Sequence, residues 1–290
     1  MENTNPLFCD FENGTCELPE TKAVQIDYFT DPICSACWGI EPSLRKLKLE
    51  YGAYVNITYH MGGLLPSWNG FNGGGITKPS DVAYHWDEAS RYYQMPINGD
   101  IWLEDPLDSS YPPSIAFIAA KMQDNTKSEK FLRRVKEMVF FEKKNIAKGE
   151  HIHQAAVEAG LDIAKFKEDL DGRANESFRA DLGLARSLGV RSFPTLFFKN
   201  DAGERQVLKG VRPYESFEQV ILHLCPAAEK AMPPAAEDIF SYYPTLTTKE
   251  FSVIVNRTME ASQAFLQGLV DKDMLMKVSG KNGEIWKVPV

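Results

Sequence analysis

At 290 residues, with 43% hydrophobic and 25% charged side chains, the chain has the make-up of a globular protein with a sizeable core, which excludes a disordered or fibrous one. Its formal charge of −8, from 40 acidic against 32 basic residues, has the wrong sign for a non-specific grip on a phosphate backbone. The first 22 residues have no basic start followed by an apolar stretch, and no later run is apolar enough for a membrane helix, so the expected setting is cytoplasmic, with no nucleic-acid or membrane partner.

An N-terminal extension, residues 1–23, carries Cys9 and Cys16 on either side of an Asn13-Gly14 loop. They are candidates for an accessory redox pair, weighed against surface thiols of no function. Residues 24–30 form a β-branched and aromatic run that stops at Asp31-Pro32, as a strand should. A helix follows with Leu44 and Leu47 at helical spacing, kinked by Pro42 and closed by Gly52, and residues 55–61 are a second strand. Strand, helix and strand in so short a span predict a right-handed βαβ unit.

From about 66 to 175, Gly-rich loops and helical patterns predict a helical insertion, including a segment at 127–144 with Phe131, Val135, Val139 and Phe140 on one face. Residues 178–188 form a helix stopped by Gly189; 195–198 and 206–209 form a hairpin across Asp201-Ala202-Gly203; 216–224 is a further helix. Residues 226–236 are a Pro- and Ala-rich linker, expected to separate the main domain, 24–225, from a terminal module at 237–290. There a Thr247-to-Glu250 capping box, a second cap at Thr258 and a tight Asn282-Gly283 hairpin suggest a small winged-helix-like α+β unit. Residues 236–290 hold six basic and seven acidic side chains, and Glu260 lies on the candidate recognition helix. Protein contact or packing is expected of this module rather than DNA reading.

Cys34-Ser35-Ala36-Cys37 stands where a strand ends and a helix begins. A sulfur at the helix N-terminus meets unpaired N–H groups and the positive end of the helix dipole, which favour its thiolate. The second sulfur, one turn on, can attack a mixed disulfide at the first and release the product. Half of a zinc site and two buried thiols are the competing readings, and no partner ligands for zinc are evident. In Gly189-Val190-Arg191-Ser192-Phe193-Pro194-Thr195, a proline stands directly before a buried strand, where a cis Phe193–Pro194 bond would leave the strand end free to pair with a bound peptide. Cys225 is read as a packed thiol, His60 as a structural histidine, and His151 with His153 as too few for a metal site; no metal is expected.

The run 31–39 with its Cys34–Cys37 pair, Met61-Gly62-Gly63-Leu64 after the second strand, and Phe193-Pro194-Thr195 together resemble the DsbA-like branch of the thioredoxin superfamily, in particular its cytosolic FrnE-like members. The likeness covers about 24–225. It implies an α/β thioredoxin fold interrupted by a helical domain, with Cys34 as nucleophile, Cys37 as resolving thiol, Pro194 as the cis-proline, and a substrate groove formed with Trp38, Phe193 and Thr195. The implied activity is dithiol–disulfide exchange on protein or small thiol substrates, recharged by glutathione or thioredoxin, with no cofactor beyond the cysteine couple. Two departures stand out: Ser35-Ala36 replaces the Pro-His common in DsbA-type oxidases, and the buried acid of thioredoxins falls on Tyr28, which leaves Asp27 as the candidate proton acceptor for Cys37. The extensions resemble SpxH/YjbH-type adaptors, which present a transcription factor to a protease, and so supply an alternative, non-catalytic reading. A glutathione-dependent kappa-type isomerase is disfavoured because such proteins typically carry serine in place of the first cysteine.

Overall fold

The computed structural model describes residues 22–289 and, in the N-terminal extension, the backbone of two short strands. These are β1 (Phe8–Asp10) and β2 (Thr15–Glu17), which pair antiparallel with Cys9 opposite Cys16. The side chains of Cys9 and Cys16, and with them the accessory redox pair, lie outside the described residues.

The central sheet has β3 (Val24–Thr30) paired in parallel with β4 (Val55–Met61) and antiparallel with β5 (Thr195–Asn200), which in turn pairs with β6 (Arg205–Lys209). The order β4-β3-β5-β6 is that of a thioredoxin fold. Between β3 and β4 the expected single helix is two: α1 (Ser35–Gly39) ends at Ile40, and α2 (Glu41–Tyr51) starts afresh with Pro42 in its first turn. A proline is tolerated there because the first-turn N–H groups have no intrahelical partner.

Side chains alternate across β3, so Ile26 and Tyr28 face one side and Asp27 and Phe29 the other. Tyr28 stacks obliquely on Tyr59, whose hydroxyl accepts from Lys48 of α2 at 3.0 Å, so α2 covers the Tyr28 face. The insertion between β4 and β5 runs through α3 (Pro79–Tyr93), α4 (Ile101–Glu104), α5 (Tyr111–Gln123), α6 (Asn125–Phe140), α7 (Gly149–Glu158), α8 (Ile163–Asp171) and α9 (Arg173–Ser187). Its core is continuous with that of the sheet: Trp86, Phe117, Phe131 and Phe140 belong to the same buried cluster as Ile26, Trp38 and Phe198. After β6, α10 (Tyr214–Leu224) packs beside α2.

The terminal segment has its own apolar cluster around Phe251, Leu266 and Trp286. A 3-10 turn (Ala236–Asp238) runs into α11 (Ile239–Tyr242), then β7 (Thr245–Thr247), α12 (Thr248–Val255), α13 (Met259–Val270), β8 (Met276–Gly280) and β9 (Gly283–Lys287), with strand order β7-β9-β8. The Thr247–Glu250 box and the Thr258 cap form. The hairpin differs from expectation: Gly280 pairs with Gly283, so the loop is Lys281-Asn282, and Gly283 opens β9 at φ +140, a conformation that suits glycine.

The linker does not hold this segment away from the rest. Ala228 is buried, the Ala231 N–H donates to the Glu50 carbonyl at 2.8 Å, and Lys230 pairs with Glu50 and Glu218. Glu250, wholly buried, forms an ion pair with Arg45 of α2 at 3.1 Å and accepts from Arg133 of α6 at 2.7 Å, while its other oxygen caps α12. Lys46 donates to the Val253 carbonyl at 3.0 Å, and the hairpin tip reaches the insertion through Lys281 to Asp87 and Asp100. No helix among the described residues is long and apolar enough to cross a membrane.

Candidate functional site

Cys34 is the N-cap of α1. Its Sγ accepts from the Cys37 N–H at 3.1 Å, its own N–H donates to the Asp31 carbonyl at 3.1 Å, and the two sulfurs are joined as a disulfide. A sulfur at this place lies where the unpaired N–H groups of a helix favour negative charge. Cys34 keeps 5% of its surface exposed and Cys37 none. Cys34 is therefore the accessible sulfur of the two, though more deeply set than the open position the sequence suggests.

The structure brings Cys34 and Phe193 to one cavity of about 370 Å³. Phe193 packs closely against Gly62: a Cβ on Gly62 would stand 2.1 Å from the Phe193 ring, so glycine is required for this approach. The Phe193–Pro194 bond is cis, Pro194 and Thr195 are buried, and the Thr195 hydroxyl donates to the Ser192 carbonyl at 2.8 Å. Ser192 and Phe193 of this loop and Leu64 of the Gly62-Gly63-Leu64 turn line the same cavity as Cys34.

Two expected roles need correction. Trp38 is wholly buried and lines no groove: its indole N–H donates to the Pro96 carbonyl at 3.1 Å, its ring stacks on Phe140, and the Arg133 guanidinium lies 4.4 Å above it. It faces inward from α1 and anchors the insertion. Asp27 is not brought to the sulfurs either. Strand alternation puts it on the face opposite α2, half exposed, where it binds His60 Nε2 at 3.0 Å. The His60 ring is held on its other side by Asp181 of α9 at 2.8 Å. Burial alone would lower the pKa of His60, but the hydrogen bonds its ring donates to both carboxylates outweigh it and raise it to about 9.

The buried acid beside the cysteines is Asp31, just past the end of β3. It is fully buried; one oxygen accepts from the Ile33 N–H at 3.1 Å, the other from the Leu64 N–H at 2.7 Å and the Ser110 hydroxyl at 2.8 Å. Burial pushes its pKa up to about 6, against the opposing pull of those hydrogen bonds. Asp31 so ties the turn before Cys34 to the Leu64 turn and to the start of α5. Acidity in a DP turn preceding a cysteine was the one available sequence signal for it.

Cys225 is free and half-buried, as a packed thiol would be. Among the described residues no group of three or more His, Cys, Asp or Glu side chains is arranged to hold a metal.

Comparison with known proteins gives four likenesses. The family model described as Thioredoxin matches residues 28–219. A ClpXP adapter protein SpxH from Halalkalibacterium halodurans is 33% identical, over 98% of this chain and 97% of the relative. Among solved structures, the cytosolic disulfide reductase DsbM from Pseudomonas aeruginosa is similar over 69% of this chain and all of its own, at 25% identity and a TM-score of 0.56. A putative protein disulfide isomerase from Nitrosomonas europaea, 19% identical, covers 69% of this chain and 96% of its own with a TM-score of 0.60, a likeness of fold.

Proposed function

Since this chain belongs to the thioredoxin family, in the branch occupied by its SpxH-named relatives, we propose that it acts as an adapter that holds a partner protein for a ClpXP-type protease. The observation that carries this reading is extent. The likeness to a named adapter runs over 98% of the chain, terminal segment included, whereas the Thioredoxin match stops at residue 219 and the oxidoreductase structures cover 69%. An enzyme of dithiol exchange has no need of the additional segment, and an adapter gains from it a second surface rigidly set against the first. The sequence alone put catalysis first and the adapter second; the extent of the likeness supports the opposite order.

Dithiol–disulfide exchange is retained as a second activity, favoured by the placement of Cys34 and Cys37 at the start of α1. In it Cys34 is the nucleophile, Cys37 the resolving thiol, and Phe193, Pro194 and Thr195 border the substrate. Glutathione or thioredoxin would recharge the couple, and disulfide-containing proteins or small thiols would be its substrates. DsbM, a cytosolic disulfide reductase of similar structure, supports this reading and a cytoplasmic setting. We further take residues 24–225 and 237–290 as the two structural units, the second winged-helix-like in its helix–strand–helix–helix–hairpin order.

The adapter reading is tested with the cognate substrate of a SpxH adapter. A stable complex, seen by size-exclusion chromatography with both wild type and Cys34→Ser, is expected. A complex that forms only as a mixed disulfide, and vanishes in Cys34→Ser, would leave the chain an oxidoreductase and not an adapter.

A further inference from the structure

The cavity beside Cys34 has a composition that the exchange reaction does not require. Its walls are rings and branched chains: Trp68, Phe71, Trp86, Trp102, Ile76 and Val82, with Cys34 in one wall. Trp102 stands edge-on to both Trp68 and Trp86, so the three indoles form one connected aromatic surface. One wall is the 69–76 segment, whose Gly73 and Gly74 reach the lining without side chains and leave room between the rings.

Charge at the cavity is equally selective. Among the described residues no carboxylate lines this cavity; besides Cys34, the charged or titratable side chains present are Arg191 and His85, both exposed. The buried indole N–H of Trp102 has no hydrogen-bond partner in the described structure, so the aromatic wall also holds one unpaired donor. At about 370 Å³ the cavity lies near the lower end of small-molecule sites, which are mostly apolar with a few polar groups that orient the ligand.

We propose that this cavity is a binding site for a small aromatic disulfide or thiol that carries an anionic group, with its ring among Trp68, Trp86 and Trp102, its anion toward Arg191, and its sulfur at Cys34. The proposal rests on the thiol chemistry given above as the second activity and names its small substrate class. With the couple reduced, the Cys34 thiolate attacks one sulfur of the aromatic disulfide; the Cys34–ligand S–S bond forms, the ligand's own S–S bond breaks, and one aryl thiolate leaves with that electron pair. The Cys37 thiolate then attacks Cys34 Sγ, closing the Cys34–Cys37 disulfide and expelling the second aryl thiolate. The protein dithiol is oxidised and the aromatic disulfide reduced to two thiols.

The test compares two reagents on the reduced full chain: 5,5′-dithiobis(2-nitrobenzoate), aromatic and anionic, and cystamine, aliphatic and cationic. Each rate at Cys34 is divided by that of the same reagent with free N-acetylcysteine, which removes intrinsic reactivity. A normalised preference of about tenfold or more for the aromatic anion is expected. Arg191→Glu, on an exposed side chain, should reduce that preference severalfold, and so should Ile76→Asp, which places a carboxylate in the half-buried wall. Quenching of tryptophan fluorescence by the thionitrobenzoate anion, added to Cys34→Ser, reads binding without exchange and should weaken in the same two variants. Equal normalised rates, or a preference untouched by both substitutions, would overturn the cavity proposal while the thiol reading stands. A Cys34 inert to both reagents would overturn the thiol reading and this proposal together.

Discussion

Cys34 retains 5% of its surface and Cys37 none, and the difference decides which sulfur meets a reagent first. In the reduced protein near neutral pH, iodoacetamide should alkylate Cys34 at least about tenfold faster than Cys37, read by peptide mass mapping; preferential labelling of Cys37 would reverse the assignment. Asp31 carries the clearest pH signature. Its pKa is pushed up to about 6 from the ordinary 3.8, so the folded state holds the proton more tightly than the unfolded one. Its contribution to stability is fully present below about pH 4 and is lost as pH rises through about 6, on the order of 2–3 kcal/mol. Urea unfolding of Asp31→Asn from pH 4 to 7 should show a flatter slope than wild type, and parallel slopes would refute the role. His60 acts in the opposite range: raised to about 9 by Asp181 and Asp27, it stabilises the fold below about pH 6.5 and loses that effect as pH climbs through 9. Because Asp27 is half exposed and solvent-screened, His60→Gln should cost about 1–2 kcal/mol at pH 6.5 and little at pH 10. The Cys34–Cys37 pair was legible in the sequence because spacing within a few residues specifies it, whereas the reading of Pro194 needed the distant cysteine pair as well. Asp31 was not legible, because its meaning lies in Leu64 and in Ser110, 79 positions away.

At the scale of elements, the strands of the central sheet and the α12 and α13 caps were legible in local pattern, whereas the division of the expected single helix into α1 and α2 before Pro42 was not. The junction between elements was not legible. Glu250 reads as a capping-box residue, and it does cap α12, but it also closes a buried ion pair with Arg133, 117 positions away, and with Arg45 just past the cysteine helix. Two guanidiniums held in a buried site need that carboxylate. Glu250→Ala, which takes the carboxylate from Arg45 and leaves Arg133 with Glu137 alone, should therefore destabilise the packing of the terminal segment on α2 by about 3 kcal/mol. Limited proteolysis should then cut within 226–236, where wild type resists; equal resistance would show the ion pairs to be dispensable. Gly62→Ala is the matching test of the Phe193 contact. The ring must shift, at a cost of about 1–3 kcal/mol, and the reactivity of Cys34 should change with it.

For the whole molecule, the linker suggested a detachable module and the structure shows a docked one. Removing residues after Pro226 would uncover α2, leave Arg45 and Lys46 without their partners across the junction, and strip Leu49 of its apolar cover. Such a truncate should aggregate or lose stability rather than survive as an intact exchange domain. Two surfaces fixed against each other suit a protein whose work is to hold another protein in place. The most direct measurement is degradation by ClpXP of the cognate substrate of a SpxH adapter, with this chain added as wild type and as the Cys34→Ser/Cys37→Ser double variant. The account predicts that both raise the initial rate of substrate loss severalfold over protease alone; no acceleration by either, beside normal turnover of small disulfides by wild type, would contradict it.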